Sequence, residues 1–243
     1  MSAAVLQVRG LSAGYGRMTV VRDIDLEVAP GEALAVVGRN GVGKTTLLKA
    51  IAGVRAGSNS GQVLLDGADV SRAPADTMAR RGLALVPEGH RVFGGLTVAE
   101  NLMLGFFPWR RSRTRSLEES LARVHALFPI LADFADRPAA ALSGGQQQMV
   151  ALGQALMASP RVLLVDEPSA GLAQVVIAEI YAALRTLRES GTAVVVVEQN
   201  LDIALRQSDR CLLVDNGRVV VAGRSEELLV SGELTETIHG GAR

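Results

Sequence analysis

The sequence predicts an α/β protein built on a mainly parallel sheet, and three observations indicate this class. Strand and helix patterns alternate in the second half of the chain, as they do in proteins with parallel sheets. A glycine-rich loop, GRNGVGKTT, joins an apolar strand to a helix of apolar period. Between Thr97 and Pro160 the strand pattern disappears, so we expect a helical insertion there.

The first third of the chain is rich in predicted strands. Alternating or β-branched runs predict strands at residues 5–8, 24–28 and 34–37. We expect a helix from the glycine-rich loop to about Gly53, and then a strand with a turn at 61–67. A buried apolar strand follows and ends at Pro87.

The middle of the chain is predicted to be helical. The patterns VAENLML and SLEESLARVHALF indicate two helices, and a third, rich in glutamine, begins in the stretch LSGGQQQMV. The basic cluster Arg110 to Arg115 interrupts these patterns, and we interpret it as a solvated loop.

The last part of the chain returns to alternation. The runs RVLLVDE and TAVVVVE predict strands, and a helix lies between them. The apolar face of that helix consists of Leu172, Val176, Ile180, Leu184 and Leu187. Asn216 and Gly217 predict the turn of a final hairpin.

The composition is that of a folded protein with no sign of a polyanionic partner. The chain has 243 residues, enough for one α/β core or two small ones. Its 25 basic and 25 acidic residues cancel, so nucleic acid is not an expected partner. The single cysteine, Cys211, cannot form an internal disulfide, which fits a reducing cytosol.

The sequence predicts neither a secretory signal peptide nor a transmembrane helix. Arg9 interrupts the N-terminal region before a long apolar run develops. The longest uncharged span, 139–160, carries glycines and four glutamines, which are costly in hydrocarbon. We therefore expect a cytoplasmic protein whose membrane role depends on a partner.

The glycine-rich loop is the strongest indication of function. It matches G-x-x-x-x-G-K-[ST] between a strand and a helix, the setting that this phosphate-binding motif requires. Its backbone N–H groups can curl around phosphates, Lys44 supplies a point charge, and the Thr45 hydroxyl can ligate Mg²⁺. The alternative is a glycine turn that only joins strand to helix. The predicted nucleotide contacts are Gly38, Arg39, Asn40, Gly41, Val42, Gly43, Lys44, Thr45 and Thr46.

Two adjacent acids end the strand RVLLVDE. The carboxyl ends of parallel strands are where such sheets bind ligands, so we expect Asp166 to hold Mg²⁺ through water. Glu167 follows it and is expected to orient or deprotonate an attacking water. Strands that end in acids are also common without any function.

The stretch LSGGQ at 142–146 is the second glycine-rich feature. Ser143 and Gln146 satisfy a capping box, which explains these two residues by local structure. Capping does not explain Gly144 and Gly145, whose missing side chains would leave the first helical amides open to a ligand. The glycine-rich loop would leave the outer face of a bound γ-phosphate in water, and an open helix start from a second subunit could cover that face. A side chain at Gly145 should then obstruct the nucleotide and leave folding unaffected.

Three motifs in this order, GRNGVGKTT, LSGGQQQ and LLVDEP, resemble the nucleotide-binding subunit of ABC transporters over essentially the whole chain. The resemblance implies a P-loop NTPase fold of ABC type with an N-terminal antiparallel β subdomain and a helical insertion. It implies one domain, 1–243, in which 1–87 and 161–243 form the core with the β subdomain and 88–160 the helical subdomain.

The same resemblance implies how the motifs act. Two subunits would dimerise head to tail, and Ser143, Gly144, Gly145 and Gln146 of each would close over the ATP of the other. Tyr15 matches the aromatic residue that stacks on adenine. Residues 168–173 match the loop between the subunits, although Ala173 stands where many members have Asp.

Two departures from the family pattern narrow the resemblance. Glu88 stands where glutamine is usual, and Gln199 stands where histidine is usual. The chain's histidines are His90, His125 and His239. These features are similar to the LivF-type ATPase of branched-chain amino acid importers, although drift in an ordinary family member is an alternative. The resemblance implies that Gln199 donates a hydrogen bond that positions the attacking water, beside Glu167 as base and Lys44.

The expected function is an ATPase that drives a membrane importer of branched-chain amino acids, with ATP and Mg²⁺ as cofactors. The implied partners are a LivG-type subunit or a second copy, two permease subunits and, indirectly, an extracytoplasmic solute-binding protein. The subunit would lie on the cytoplasmic face of the membrane. Urea, amides or other amino acids are alternative solutes. A soluble P-loop kinase or GTPase would not need LSGGQ, and a non-transport ABC protein would usually be longer.

Overall fold

The computed structural model describes residues 3–54, 59–89, 91–109 and 116–231, with residues 234 and 237. The predicted loop Arg110 to Arg115 and the histidines His90 and His239 lie outside these residues. In chain order the strands are β1 (Leu6–Tyr15), β2 (Met18–Val28), β3 (Ala33–Val37), β4 (Asn59–Leu65), β5 (Ala68–Asp69), β6 (Leu83–Val86), β7 (Val162–Asp166), β8 (Ala193–Glu198), β9 (Arg210–Asp215) and β10 (Arg218–Arg224). The helices are α1 (Lys44–Ile51), α2 (Ala75–Arg80), α3 (Val98–Phe106), α4 (Leu117–Leu127), α5 (Ile130–Asp133), α6 (Gly144–Leu156), α7 (Gln174–Glu189), α8 (Leu201–Gln207) and α9 (Ser225–Ser231).

The strands form two sheets. One has the order β10-β9-β3-β8-β7-β6, and its neighbours are parallel except for the β9–β10 hairpin. The other has the order β2-β1-β4-β5 and is antiparallel throughout. The predicted combination of a mainly parallel core with an N-terminal antiparallel sheet is therefore confirmed.

The parallel sheet is covered on both faces, because every residue of β3, β7 and β8 is buried. Alternate side chains of β7 point to opposite faces. Leu164 joins the cluster that contains α1 and the antiparallel sheet, whereas Leu163 and Val165 join the cluster of the helical segment. The sheet is thus held between two apolar cores.

Four helices between β6 and β7, namely α3 to α6, pack around Leu102, Val124, Leu131 and Leu152. Helix α3 begins at a capping box. The Glu100 backbone N–H donates to the Thr97 hydroxyl, and the Thr97 backbone N–H donates to the Glu100 carboxylate. We propose that these helices form a separate subdomain with the predicted bounds, 88–160. No helix within the described ranges is long and apolar enough to cross a membrane.

The predicted hairpin turn is present. Asp215 pairs with Arg218, and Asn216 and Gly217 both have positive φ, 46° and 75°, as a two-residue hairpin of this type requires. Other elements are longer or additional. Strands β1 and β2 extend well beyond the predicted segments, and the short helices α2, α5, α8 and α9 were not predicted.

Candidate functional site

The glycine-rich loop ends at Gly43, which caps the N-terminus of α1. Its φ of 109° is one that side chains rarely adopt, and an added Cβ would lie 2.6 Å from Cγ1 of Val21. Glycine is therefore required here both by the backbone and by the close approach of β2. The loop is fixed against the antiparallel sheet at the point where α1 begins.

Lys44, the first residue of α1, is 5% exposed. Its Nζ donates hydrogen bonds to the carbonyl oxygens of Gly38 at 2.8 Å and Arg39 at 3.1 Å, and lies 3.9 Å from Oε1 of Glu167. Burial lowers the pKa of Lys44, and the nearby Glu167 and Asp166 oppose that change. The loop thus holds a buried ammonium group against the carboxyl edge of the sheet.

Glu167 follows β7 in a left-handed conformation with φ of 50°, which is uncommon for a residue with a side chain. Its backbone N–H donates to the carbonyl oxygen of Val197 at 2.9 Å, so the turn is tied to the neighbouring strand. The amide of Gln199 donates a short hydrogen bond to Oε2 of Glu167. Because β7 and β8 are adjacent and parallel, both side chains emerge at the same edge of the sheet.

Asp166 is the last residue of β7 and is 1% exposed. The Thr45 hydroxyl hydrogen-bonds its carboxylate, while oxygen Oδ1 accepts no hydrogen bond. Burial raises the pKa of Asp166, which marks an unfavourable position for an uncompensated charge.

A buried carboxylate oxygen without a partner, next to a threonine hydroxyl, fits the requirements of Mg²⁺. Within the described part of the chain, no group of three or more His, Cys, Asp or Glu residues is arranged to hold a metal. Mg²⁺ is often bound by one or two protein oxygens together with phosphates and water. Asp166 and Thr45 could therefore hold it only together with a phosphate ligand and water.

Lys44, Thr45 and Glu167 face an open cavity of about 490 Å³. Its lining includes most of the predicted nucleotide and catalytic residues, together with two that were not predicted. The lining residues are Tyr15, Met18, Val20, Asn40, Gly41, Gly43, Lys44, Thr45, Thr46, Glu88, Glu167 and Gln199.

Met18 and Val20 are the two unpredicted residues, and both lie on β2. The alternation of β2 indicates that they share a face, but not that this face lies beside the glycine-rich loop. Tyr15, at the end of β1, is 42% exposed beside them. Together they form an apolar wall with one aromatic ring.

Three residues of the loop do not line the cavity. The Gly38 carbonyl accepts from Lys44, Arg39 is exposed, and Val42 packs against the core. Asp166 is also absent from the lining and lies behind Thr45. The structure therefore brings most of the predicted residues together at the cavity. Val42 instead has a packing role, because its side chain lies against the core.

The LSGGQ stretch lies at the start of α6 and does not line the cavity of its own chain. The predicted capping box is present, with the Gln146 backbone donating to the Ser143 hydroxyl at 3.3 Å and the Ser143 backbone to the Gln146 side chain at 3.0 Å. Ser143 and Gly144 are exposed, whereas Gly145 is buried.

The expectation that a side chain at Gly145 would leave folding unaffected is wrong. A Cβ there would lie 2.6 Å from Cγ1 of Val176 in α7 of the same chain. The close approach of α7 to α6 therefore requires glycine at this position. Gly144 has the exposure that a contact with a second subunit needs.

Comparisons with known proteins agree with this geometry. The family model described as ABC transporter matches residues 21–170. The high-affinity branched-chain amino acid transport ATP-binding protein BraG of Pseudomonas aeruginosa is 38% identical over 95% of this chain and 97% of its own length. A probable branched-chain amino acid transport ATP-binding protein, LivF of Archaeoglobus fulgidus, is 38% identical over 93% of this chain and 94% of its own.

The fold is shared with solved ATP-binding cassettes. The dimeric structure of a post-hydrolysis state of the cassette MJ0796, bound to ADP and Pi, superposes with a TM-score of 0.79 at 25% identity. The match covers 90% of this chain and 98% of the other.

Proposed function

This chain belongs to the ABC transporter family as one of its ATP-hydrolysing subunits, and on that premise we propose that it powers the import of branched-chain amino acids. The observation that carries the solute class is the 38% identity to BraG, which extends over 95% of this chain. This identity extends over nearly the whole chain and is not confined to the shared motifs.

The geometry supports a specific division of roles within the site. Lys44 and the N-terminus of α1 bind the phosphates, and the exposed ring of Tyr15 stacks on the adenine. Glu167 acts as the base that takes a proton from the attacking water, and Gln199 holds that carboxylate and the water in position.

Mg²⁺ is the proposed metal, held by Thr45 and, through water, by Asp166; when bound, it neutralises charge on the phosphoryl oxygens. Glu88 lines the same cavity near these groups and is a proposed contact to the nucleotide or its metal.

The second half of each site comes from another subunit. Ser143, Gly144, Gly145 and Gln146 do not line the cavity of their own chain, which supports a head-to-tail dimer in which they close over the partner's ATP. The partner is a LivG-type subunit or a second copy. The pair works on the cytoplasmic face of the membrane against two permease subunits, and a solute-binding protein delivers the amino acid outside.

The test is ATP hydrolysis by the complete transporter in lipid vesicles. Leucine, valine or isoleucine on the solute-binding protein should stimulate ATP hydrolysis and solute uptake. The same assembly with Glu167→Gln should show neither stimulated hydrolysis nor uptake. Stimulation by urea or an amide, with none by the branched-chain amino acids, would replace the proposed solute and leave the ATPase assignment intact.

A further inference from the structure

Glu198, the last residue of β8, is a buried acid that the roles above do not use. It is 1% exposed and precedes Gln199. Its Oε1 accepts hydrogen bonds from the Tyr181 hydroxyl at 2.7 Å and from the Ser169 backbone N–H at 3.3 Å. Its Oε2 accepts from the Ser169 hydroxyl at 2.7 Å.

A carboxylate in this position is costly, so its retention calls for an explanation. Burial raises the pKa of Glu198, and the hydrogen bonds from Tyr181 and Ser169 oppose that rise. Burial also raises the pKa of the Tyr181 hydroxyl, which therefore remains a donor. An apolar side chain would avoid the desolvation but would leave Ser169 and Tyr181 without their acceptor.

The three hydrogen bonds connect the two segments that carry the catalytic pair. Ser169 lies two residues after Glu167, and Glu198 lies one residue before Gln199. Tyr181 anchors the same carboxylate to α7. The Glu198 carboxylate therefore adds side-chain links between the loop after β7 and the end of β8, beside the backbone hydrogen bond from Glu167 to Val197.

We propose that Glu198 is a positioning residue for ATP hydrolysis, which holds Gln199 against Glu167 through its hydrogen bonds to Ser169 and Tyr181. The inference rests on the proposed roles of Glu167 and Gln199. Glu198 does not line the nucleotide cavity, so it acts on turnover and not on ATP binding.

The bonds, and not the charge, carry this role. A glutamine at position 198 can accept from Tyr181 and the Ser169 backbone through its oxygen, and can donate to the Ser169 hydroxyl through its amide. Glu198→Gln should therefore keep kcat within about threefold of wild type. Ser169→Ala and Tyr181→Phe each remove one bond, and each should lower kcat about tenfold with the KM for ATP within twofold.

The experiment measures kcat and KM for ATP in the full-length chain in its active dimer. Ser120→Ala is the control, because it also removes a serine hydroxyl that donates a hydrogen bond, in this case to the Ser116 carbonyl at the start of α4, away from the cavity. It should hydrolyse ATP at the wild-type rate. Ser169→Ala combined with Gln199→Ala should be no slower than Gln199→Ala alone, which we expect to be 10- to 100-fold below wild type.

Four results would overturn the inference. The first is wild-type kcat in both Ser169→Ala and Tyr181→Phe, and the second is a Glu198→Gln protein as slow as either of these. The third is a Ser120→Ala protein as slow as Ser169→Ala. The fourth is a kcat in the double variant, Ser169→Ala with Gln199→Ala, that is reduced by the product of the two single losses. If Ser169→Ala does not fold, Tyr181→Phe supplies the same comparisons. A wild-type rate in Gln199→Ala would instead contradict the proposed role of Gln199.

Discussion

Glu167 has an uncommon backbone conformation at the position where the proposed base must act. Its φ of 50° costs a residue with a side chain of the order of 1 kcal/mol, and the hydrogen bond of its N–H to Val197 helps to maintain it. The turn directs the carboxylate towards Gln199 and Lys44 instead of along the strand. Strain of this kind is maintained where the surrounding structure fixes it, and here the neighbouring strand does so.

The first prediction separates nucleotide binding from turnover at two residues of the site. Lys44→Ala should weaken ATP binding about 100-fold, because it removes the ammonium group that faces the phosphates. Glu167→Gln should bind ATP with near wild-type affinity but hydrolyse it at least 100-fold more slowly, because an amide cannot accept the proton. Equilibrium binding and steady-state hydrolysis, measured separately, check both.

The control for this prediction is Glu226→Gln, which makes the same change at an exposed acid of α9 and should affect neither quantity. Normal turnover in Glu167→Gln would contradict the role of Glu167 as base.

The second prediction concerns the cost of the buried acid Asp166. Burial of its ionised carboxylate is unfavourable, so the neutral amide in Asp166→Asn should stabilise the nucleotide-free protein by about 1 kcal/mol, or about 2 to 4 °C in Tm. Hydrolysis in the presence of Mg²⁺ should fall roughly 100-fold, because the amide cannot replace the carboxylate at the metal. Thermal unfolding and hydrolysis assays check the two effects.

The sign of the pH dependence follows from the raised pKa of Asp166. The Asp166 carboxyl has its ordinary pKa of 3.8 in the unfolded chain and a higher pKa in the folded protein. Between these two values the folded state binds the proton more tightly, so the free energy of unfolding falls as pH rises towards the folded pKa. The stability advantage of Asp166→Asn should therefore grow over that range and be absent at lower pH. Asp202→Asn, at an exposed acid of α8, should show no such advantage. A lower Tm for Asp166→Asn at neutral pH would contradict the argument.

The sequence motifs include most of the polar residues that line the cavity, because each motif residue is fixed by local chemistry. Lys44, Thr45 and Glu167 follow from their places beside a strand or helix end. Met18 and Val20 could not be predicted, because their presence in the cavity depends on how the antiparallel sheet approaches the loop. The contacts of Glu198 likewise depend on a tertiary approach, that of Tyr181 from α7.

At the scale of elements, continuous apolar strands and the long amphipathic helix were predicted, and the short helices were not. The strands β3, β7 and β8 are continuous apolar runs, and α7 has a clear apolar face, so composition alone identifies them. The helices α2 and α5 have six and four residues, too few for a hydrophobic period to be recognised. The extension of β1 and β2 beyond the predicted segments includes register shifts, which interrupt the alternation that identifies strands.

The third prediction concerns the packing of α6 against α7. Gly145→Ala should destabilise the protein by about 1 to 3 kcal/mol, because the new Cβ would lie 2.6 Å from Val176. Val176→Ala in the same chain removes the colliding methyl groups and should recover at least half of that loss. Gly144→Ala is the matched control and should change stability by less than about 1 kcal/mol, since Gly144 is exposed. Urea unfolding of the four proteins measures the effects, and equal stability of Gly144→Ala and Gly145→Ala would contradict this account.

At the scale of the whole molecule, the two halves of the proposed ATP site lie on different surfaces of one chain. The phosphate-binding loop and Glu167 line one cavity, and the exposed start of α6 lies outside it. A symmetric head-to-tail pair would bring the start of α6 from each chain to the cavity of the other, and would do so twice. Two inactive chains with faults in different halves can then complement each other.

The fourth prediction is that complementation. Lys44→Ala disables the phosphate-binding half, and Gly144→Asp disables the α6 half without disturbing its own fold, because an acid at the exposed first residue of a helix is well tolerated. Each protein alone should be inactive. Random pairing makes about half of the dimers mixed, each with one complete site of two, so an equal mixture should reach about a quarter of the wild-type rate. ATP hydrolysis of the mixture, at constant total protein, is the measurement.

Two controls make the result decisive. Light scattering of Glu167→Gln with ATP establishes whether the chain pairs with itself. If it does not, the substitution that corresponds to Gly144→Asp is made in the related subunit, and Lys44→Ala is mixed with that subunit. A mixture of Lys44→Ala with Glu167→Gln should stay inactive, because both faults lie in the same half and no mixed dimer then contains a complete site. No recovery in the first mixture although dimers form would show that each chain builds its site alone. Recovery in the second mixture would show that Lys44 and Glu167 act from different chains.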